Sequence, residues 1–325
     1  MKLQRKKSGI DRLFAGLVGS LLVAAATPAI AASGNTAVSD DGTEAVAPNY
    51  SASSQGVSSF AGLGTLRAGP AESTAEFERI LNAKPMSAPA GAESIIGPDN
   101  RFRINPTTSF PARAVVLITF DPPGPGTSRC TGWLIGPRTV ITAGHCLAAA
   151  GSGTFYPRST YRIYPGRNGT SAPFGFCTAA SLHSVSGWVT SGSELFDYGA
   201  IRLNCNIGST TGWFGWWWQA ASLTGLFTRV SGYPGDKPLT QWQSTDSVRV
   251  TQTNQIFYQN DTVGGNSGGP VWQNRSSTAS FCRGACGMAI HAYGLHGAVP
   301  HSTNNHGTRI REAVHNNFCF WRGGC

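Results

Sequence analysis

The last two-thirds of this sequence predict an all-β fold, two β units closed by one C-terminal α-helix. Three observations carry that prediction. Short β-branched or aromatic runs recur from residue 113 onward, among them "RAVVLITF", "GWLIGPRTVITAG", "YGAIRL", "FTRVSGY", "DSVRVTQ" and "GPVWQ". Gly, Pro, Asn and Asp punctuate them, as expected of a β-barrel or β-sandwich. The exception is "TRIREAVHNNFCFW", where Ile310, Val314 and Phe318 fall four apart and form a helical stripe that should pack on the body, near 308–319. Residues 94–325 are long enough for two such units, with a boundary near 205–225.

Upstream the chain reads differently. "MKLQRKK" is a basic start, Phe14 to Ala26 a short apolar run, and Ala29-Ile30-Ala31 a small-x-small cleavage site. Residues 1–31 are therefore expected to be a secretory signal peptide, too short for a lasting membrane span, and the mature chain to be secreted with no membrane partner. Residues 32–70 are rich in Ser, Ala, Gly, Thr and Asn and hold few large apolar side chains, so they cannot build a core of their own. Ser73-Thr74-Ala75-Glu76 reads as a capping box before Phe77, Ile80 and Leu81, which predicts one short helix. Residues 32–93 as a whole are expected to be a propeptide or, failing that, a permanent arm.

All eight cysteines lie beyond residue 129. An even number in an exported chain points to four disulfides, with 105 pairings open on counting alone. None has the Cys-x-x-Cys spacing of a zinc site. Charge is uneven as well. Residues 1–93 carry eight basic and eight acidic side chains, whereas residues 94–325 carry seventeen basic and eight acidic, sixteen of the basic ones arginine and the other Lys237. The arginines are scattered and form no run, so a nucleic-acid partner is not expected. The excess serves either solubility or a field that favours anionic substrates.

Three motifs carry chemistry. Thr142-Ala143-Gly144-His145-Cys146 directly follows a strand pattern, Asp197 enters a strand in "FDYGAI", and Ser267 lies in Gly264-Gly265-Asn266-Ser267-Gly268-Gly269-Pro270. A serine hydroxyl is a poor nucleophile until a base takes its proton, and that base needs an acid partner to fix its tautomer and stabilise the imidazolium. His145 is the candidate base, Asp197 the acid and Ser267 the nucleophile. Glycines around Ser267 let the backbone turn so that the N–H groups of Gly265 and Ser267 point at a developing oxyanion. Each motif alone is commonplace. The order His…Asp…Ser, with a cysteine beside the histidine, is not. An α/β-hydrolase has a different order, Ser…Asp…His, and a non-catalytic homologue would lack one of the three.

"TAGHC" with "GNSGGP" resembles the trypsin-like serine proteases. More closely, "CTGWLIGPRTVITAGHC", "PGRNGTS", "DYGAIRL", "SGYPGDK", "DTVGGNSGGP" and "AIHA" resemble the bacterial glutamyl endopeptidases, from Ser94 to about Arg311. The resemblance implies two antiparallel chymotrypsin-like β-barrels with an active site in the cleft between them, a monomer acting on peptide and protein substrates, and no cofactor. It implies a Cys130–Cys146 disulfide closing the histidine loop and a Cys282–Cys286 staple in the second barrel. Cys177–Cys205 and Cys319–Cys325 are then the remaining pairs.

For the side chain that is cut, two readings stay open. Asp261 lies six residues before Ser267, where trypsin keeps the carboxylate that attracts Arg or Lys. Against it, Thr262 and His291 stand where the glutamyl enzymes place a carboxylate-binding hydroxyl and imidazole, and a Glu side chain needs donors of this kind. The stretch "GAESIIG" favours Glu, because a cut that makes Ser94 the first residue leaves Glu93 behind it. The new ammonium of Ser94 would then be a third element of the pocket, since Asn266 offers it no charge to pair with. Other clusters read as structural. Trp213, Trp216, Trp217 and Trp218 suggest packed core, and His291, His296, His301 and His306, five apart, suit neither a strand face nor a helix face, so no metal site is expected.

Overall fold

The structure is a computed structural model that describes residues 33–64, 73–86, 88–89 and 91–325. The signal-peptide expectation for residues 1–31 lies outside the described residues. Among the described residues no helix is long and apolar enough to cross a membrane.

The first barrel is built from β1 (Val115–Phe120), β2 (Ser128–Gly136), β3 (Thr139–Thr142), β4 (Arg162–Pro165), β5 (Cys177–Val185) and β6 (Gly199–Leu203). All neighbours are antiparallel in the order β6-β3-β2-β1-β4-β5, and β5 pairs with β6 to close the ring. Every residue of β1 and β3 is buried, which is why those runs are so uniformly β-branched or aromatic.

The second unit holds β7 (Phe227–Gly232), β8 (Trp242–Ser247), β9 (Gln255–Tyr258), β10 (Pro270–Arg275), β11 (Gly284–Tyr293) and β12 (Asn305–Arg309). Its order is β9-β12-β11-β10-β7-β8. It is a half-barrel: β8 and β9 are joined not by a ladder but by contacts such as the Gln259 N–H on the Asp246 carboxylate at 2.7 Å. The C-terminal helix spans Glu312–Arg322 and not 308–319. Residues 305–309 pair as a strand with both β9 and β11, so the helix begins only after that ladder ends. It buries Val314, Phe318, Cys319 and Trp321.

The described residues of 33–93 make no core of their own and are added to both units through backbone pairing. Ala37–Ser39 pairs with β5, Gly56–Val57 with Gly215–Trp217, and Lys84–Pro85 with β2. The helix Thr74–Leu81 forms where the capping box predicts it. The Ser73 Oγ accepts the Glu76 N–H at 3.1 Å, and Ile80 is fully buried. Arg79 then ties the helix to Asp121 at 2.9 Å. Trp216 and Trp217 are buried as core, with the Trp216 Nε1–H on His315 Nδ1 at 3.0 Å.

Candidate active site

His145 sits on a single 3-10 turn, Gly144–Cys146, directly after β3, and Cys130–Cys146 bonds that turn to β2. The remaining disulfides are Cys177–Cys205, Cys282–Cys286 and Cys319–Cys325. Asp197 lies just before β6 and is wholly buried. It grips His145 twice. Oδ1 accepts the His145 backbone N–H at 2.8 Å, and Oδ2 faces the ring Nδ1 at 2.7 Å. That second bond puts the Nδ1 proton toward the carboxylate and leaves Nε2 as the basic nitrogen. Burial works against the imidazolium, but the charge and hydrogen bond of Asp197, with a contribution from Glu93, hold His145 above its ordinary pKa.

Ser267 is fully buried in the loop before β10, and Thr131 of β2 holds that loop in place. The Thr131 N–H donates to the Ser267 carbonyl at 2.9 Å, and its Oγ1 donates to the Gly265 carbonyl at 2.7 Å. The turn needs Gly268. Its φ is +86°, and a Cβ there would stand 2.1 Å from Thr142 Oγ1.

The segment upstream of Ser94 enters this centre at two points. The Met86 carbonyl accepts the Gly265 N–H at 3.3 Å and the Ser267 hydroxyl at 3.3 Å. The Glu93 carboxylate also accepts from the Ser267 hydroxyl. Of the two expected oxyanion donors, the Gly265 N–H is thereby engaged by a residue upstream of the expected cut. His145 Nε2 is buried with no hydrogen-bond partner, and the Ser267 hydroxyl oxygen lies against Glu93 and Met86 instead of the base. Burial raises the Glu93 carboxyl above its ordinary range, and the bonds from Ser267 oppose that rise without cancelling it.

The chain approaches this position along the end of β11. The Gly294 N–H donates to the Gly91 carbonyl at 3.2 Å. No side chain could stand at 294, because a Cβ would lie 1.8 Å from the Ala92 carbonyl oxygen. Beyond Glu93, the Ser94 N–H donates to Asn305 Oδ1 at 3.0 Å, and the Ser94 carbonyl accepts from Thr262 N at 3.2 Å and from Asn305 Nδ2 at 2.6 Å.

Thr262 and His291 are both fully buried, and Thr262 Oγ1 and His291 Nε2 lack partners. His291 Nδ1 lies 2.7 Å from the Tyr258 hydroxyl. Burial, with the nearby charge of His145, pushes His291 down to about 3, so it is neutral near pH 7. Asp261 is occupied otherwise. Its two oxygens accept the backbone N–H groups of Ile96 and Asn100, each at 2.8 Å. Among the four histidines five residues apart, His291 is separate, but His296, His301 and His306 come together with Glu194. Sequence reasoning missed that cluster because its spacing argument assumed one continuous element, whereas turns between β11 and β12 fold the three back on each other. It also missed Tyr258, Asn305 and Met86, none of which sits in a motif.

The trypsin-like peptidase domain family matches residues 130–278. A glutamyl endopeptidase of Bacillus licheniformis is 39% identical over 98% of both chains. A Bacillus subtilis protein named extracellular metalloprotease is 42% identical over 70% of this chain and 69% of its own. A solved Glu endopeptidase superposes with a TM-score of 0.59 at 28% identity, covering 70% of this chain and 99% of that one. The protease Anisep from Arthrobacter nicotinovorans, at 21% identity and a TM-score of 0.56, shares the fold. With nearly the full length matched to the licheniformis enzyme, a closed barrel beside a half-barrel, and His145, Asp197 and Ser267 gathered where the two meet, the chain belongs to the glutamyl endopeptidase family of trypsin-like serine endopeptidases.

Proposed function

We propose that this serine endopeptidase is secreted as a precursor and, once residues 32–93 are removed, cuts peptide bonds after Glu and, more weakly, Asp. His145 Nε2 takes the Ser267 proton as Oγ adds to the substrate carbonyl. The N–H groups of Gly265 and Ser267 hold the oxyanion. The C–N bond then breaks as the imidazolium returns the proton to the departing amine, and water, activated by the same nitrogen, hydrolyses the acyl-enzyme. Asp197 keeps the ring oriented and stabilises its charge. Export is supported by the signal-like start and by the name of the B. subtilis relative.

The observation that carries Glu specificity is the pair of unpartnered buried donors, Thr262 Oγ1 and His291 Nε2. Buried polar atoms without partners are uncommon, and these two are complementary to carboxylate oxygens. With the Tyr258 hydroxyl donating to Nδ1, the neutral His291 ring carries its proton on Nε2 and offers it to the substrate. A neutral imidazole supplies no charge, so the charge is assigned to the Ser94 ammonium. At a reference pKa of about 8 it is largely protonated at neutral pH. The trypsin-like alternative has no such support, because both Asp261 oxygens already serve backbone amides. The test is N-terminal sequencing of the secreted enzyme together with kcat/KM for matched Glu, Gln and Arg substrates. A first residue of Ser94 and a strong preference for Glu are expected, and a preference for Arg would overturn the reading.

A further inference from the structure

Glu194, His296, His301 and His306 form a group outside the catalytic machinery. Glu194 begins the turn Glu194–Phe196 of the first barrel, three residues before Asp197. His296 follows β11, His301 opens the turn His301–Thr303, and His306 lies in β12. One potential ligand atom from each of the four lies within 4.8 Å of all the others. Glu194 Oε2 is 3.1 Å from His296 Nε2, and its Oε1 is 3.3 Å from His301 Nε2. The three rings are 4.8 to 5.1 Å apart between centroids.

Two features point to an ion and not merely to crowding. His306 is fully buried with both ring nitrogens unpaired, and His301 Nε2 makes no hydrogen bond. A core imidazole with two unsatisfied nitrogens is costly unless something completes it. The surroundings also orient the rings as ligands are usually oriented. His296 Nδ1 lies 3.1 Å from the Gly294 carbonyl, to which only an N–H can bond, so Nε2 is left with a lone pair facing the cluster. His306 is sandwiched between Tyr293 and Phe257, with ring centroids 5.0 Å away on each side. Glu194 Oε1 is braced by the Gln255 amide at 3.2 Å.

We propose that Glu194, His296, His301 and His306 bind one Zn²⁺ ion in a closed tetrahedral site that joins the two barrels beside the catalytic cleft. Three imidazoles and one carboxylate are a donor set zinc accepts readily, at metal–ligand distances of about 2.0–2.2 Å, and a contraction of up to about 1.5 Å from a 4.8 Å spacing would reach that geometry. All four positions are filled by protein, leaving none for a reacting water, so the ion is structural. Glu194, His296 and His301 are only half-buried, which gives it a way in. Its place gives it a task. It would fasten the turn leading to Asp197 to the strand end carrying Tyr293, whose ring centroid is 6.3 Å from that of His145.

The competing account is that protons fill the space, as imidazolium–carboxylate pairs. The experiment uses untagged full-length chain carrying Ser267→Ala to prevent self-digestion, stripped with a chelator and dialysed. Calorimetric titration with Zn²⁺ should show one tight equivalent. Co²⁺ should give the visible absorption of a tetrahedral site, and Ca²⁺, which prefers oxygen ligands, should do neither. The substitutions His301→Ala and Glu194→Gln, at half-buried positions that need not disturb folding, should each weaken Zn²⁺ binding at least 100-fold and abolish the zinc-dependent rise in Tm, while leaving the Tm of the stripped protein within a few degrees. His306→Ala should do the same if it folds. Absence of a stoichiometric Zn²⁺ site, or equal affinity in His301→Ala and its parent, overturns the proposal.

Discussion

The two halves of the catalytic cleft differ in how finished they are. On the first-barrel side His145 and Asp197 share two short hydrogen bonds, and Asp197 has the Thr308 hydroxyl on its backbone carbonyl at 3.1 Å. On the second-barrel side the Ser267 hydroxyl is taken by Met86 and Glu93 and the Gly265 N–H by Met86, while Thr262 and His291 keep unpaired polar atoms. On the proposed reading the general base is assembled in the precursor, and what is withheld is the nucleophile and the place for the substrate. This differs from a zymogen whose pocket is unformed. Here the buried groups are in position and carry the wrong occupant.

The largest effect should come from the groups that must act together. In the processed enzyme Ser267→Ala and His145→Ala should each lower kcat by about 10⁶, with folding retained, as active-site titration and circular dichroism would show. Substantial turnover in Ser267→Ala would break the assignment of the second half of the cleft. Next is the pocket. His291→Ala removes a donor to a charged group, worth about 1.5–3 kcal/mol, so kcat/KM for Glu substrates should fall about 10²-fold with little change for Gln. An equal loss on both substrates would make His291 a packing residue only. A processed form with one extra residue before Ser94 moves the ammonium by ~3.5 Å. Its Glu-over-Gln selectivity should drop by about tenfold, and an unchanged ratio would remove the ammonium from recognition.

A smaller effect concerns pH. The docked Glu93 carboxyl holds its proton more tightly than a free one, because burial raises its pKa. Docking of the prosegment should therefore be firmest below the ordinary value of 4.5 and weaken as pH rises through the raised value. In uncleavable Ser267→Ala precursor, hydrogen exchange of residues 84–96 should speed up with pH beyond its intrinsic dependence, and the additional substitution Glu93→Gln should flatten that excess. The smallest change in function is expected from Asp261→Asn. It loses an acceptor for Ile96 or Asn100, at about 1–3 kcal/mol of stability, and leaves the P1 preference where it was. A gain or loss of Arg cleavage in that variant would reopen the trypsin-like reading.

Much of this molecule was legible in its sequence because the relevant signals are local. His145 and Ser267 sit in short motifs whose glycines answer to backbone geometry, and the capping box at Ser73 acts within one turn. The strand runs were legible because full burial favours apolar residues at nearly every position, as in Val115–Phe120, where only Thr119 is polar. The rest depends on where distant segments meet. Nothing near Glu93 announces that its side chain, and not its carbonyl, would face Ser267. Tyr258 and Asn305 are ordinary residues that matter through their neighbours across two ladders. The helix start was misplaced because Thr308 to Ile310 satisfies a helical stripe and a strand equally well, and only pairing with β9 and β11 decides between them. Three histidines five apart look unrelated until the β11–β12 turns are drawn.

The Ser94 nitrogen already rests 3.0 Å from Asn305 Oδ1 while it is still an amide, and Ile96, two residues on, is pinned to Asp261. If the chain is cut after Glu93 as proposed, these contacts should hold the nitrogen near its present place while it becomes an ammonium. On that proposal, activation is an event of bond breaking and departure. No new chain end has to search for a socket, so catalytic competence should appear in step with loss of the prosegment, with no slower rearrangement trailing behind it.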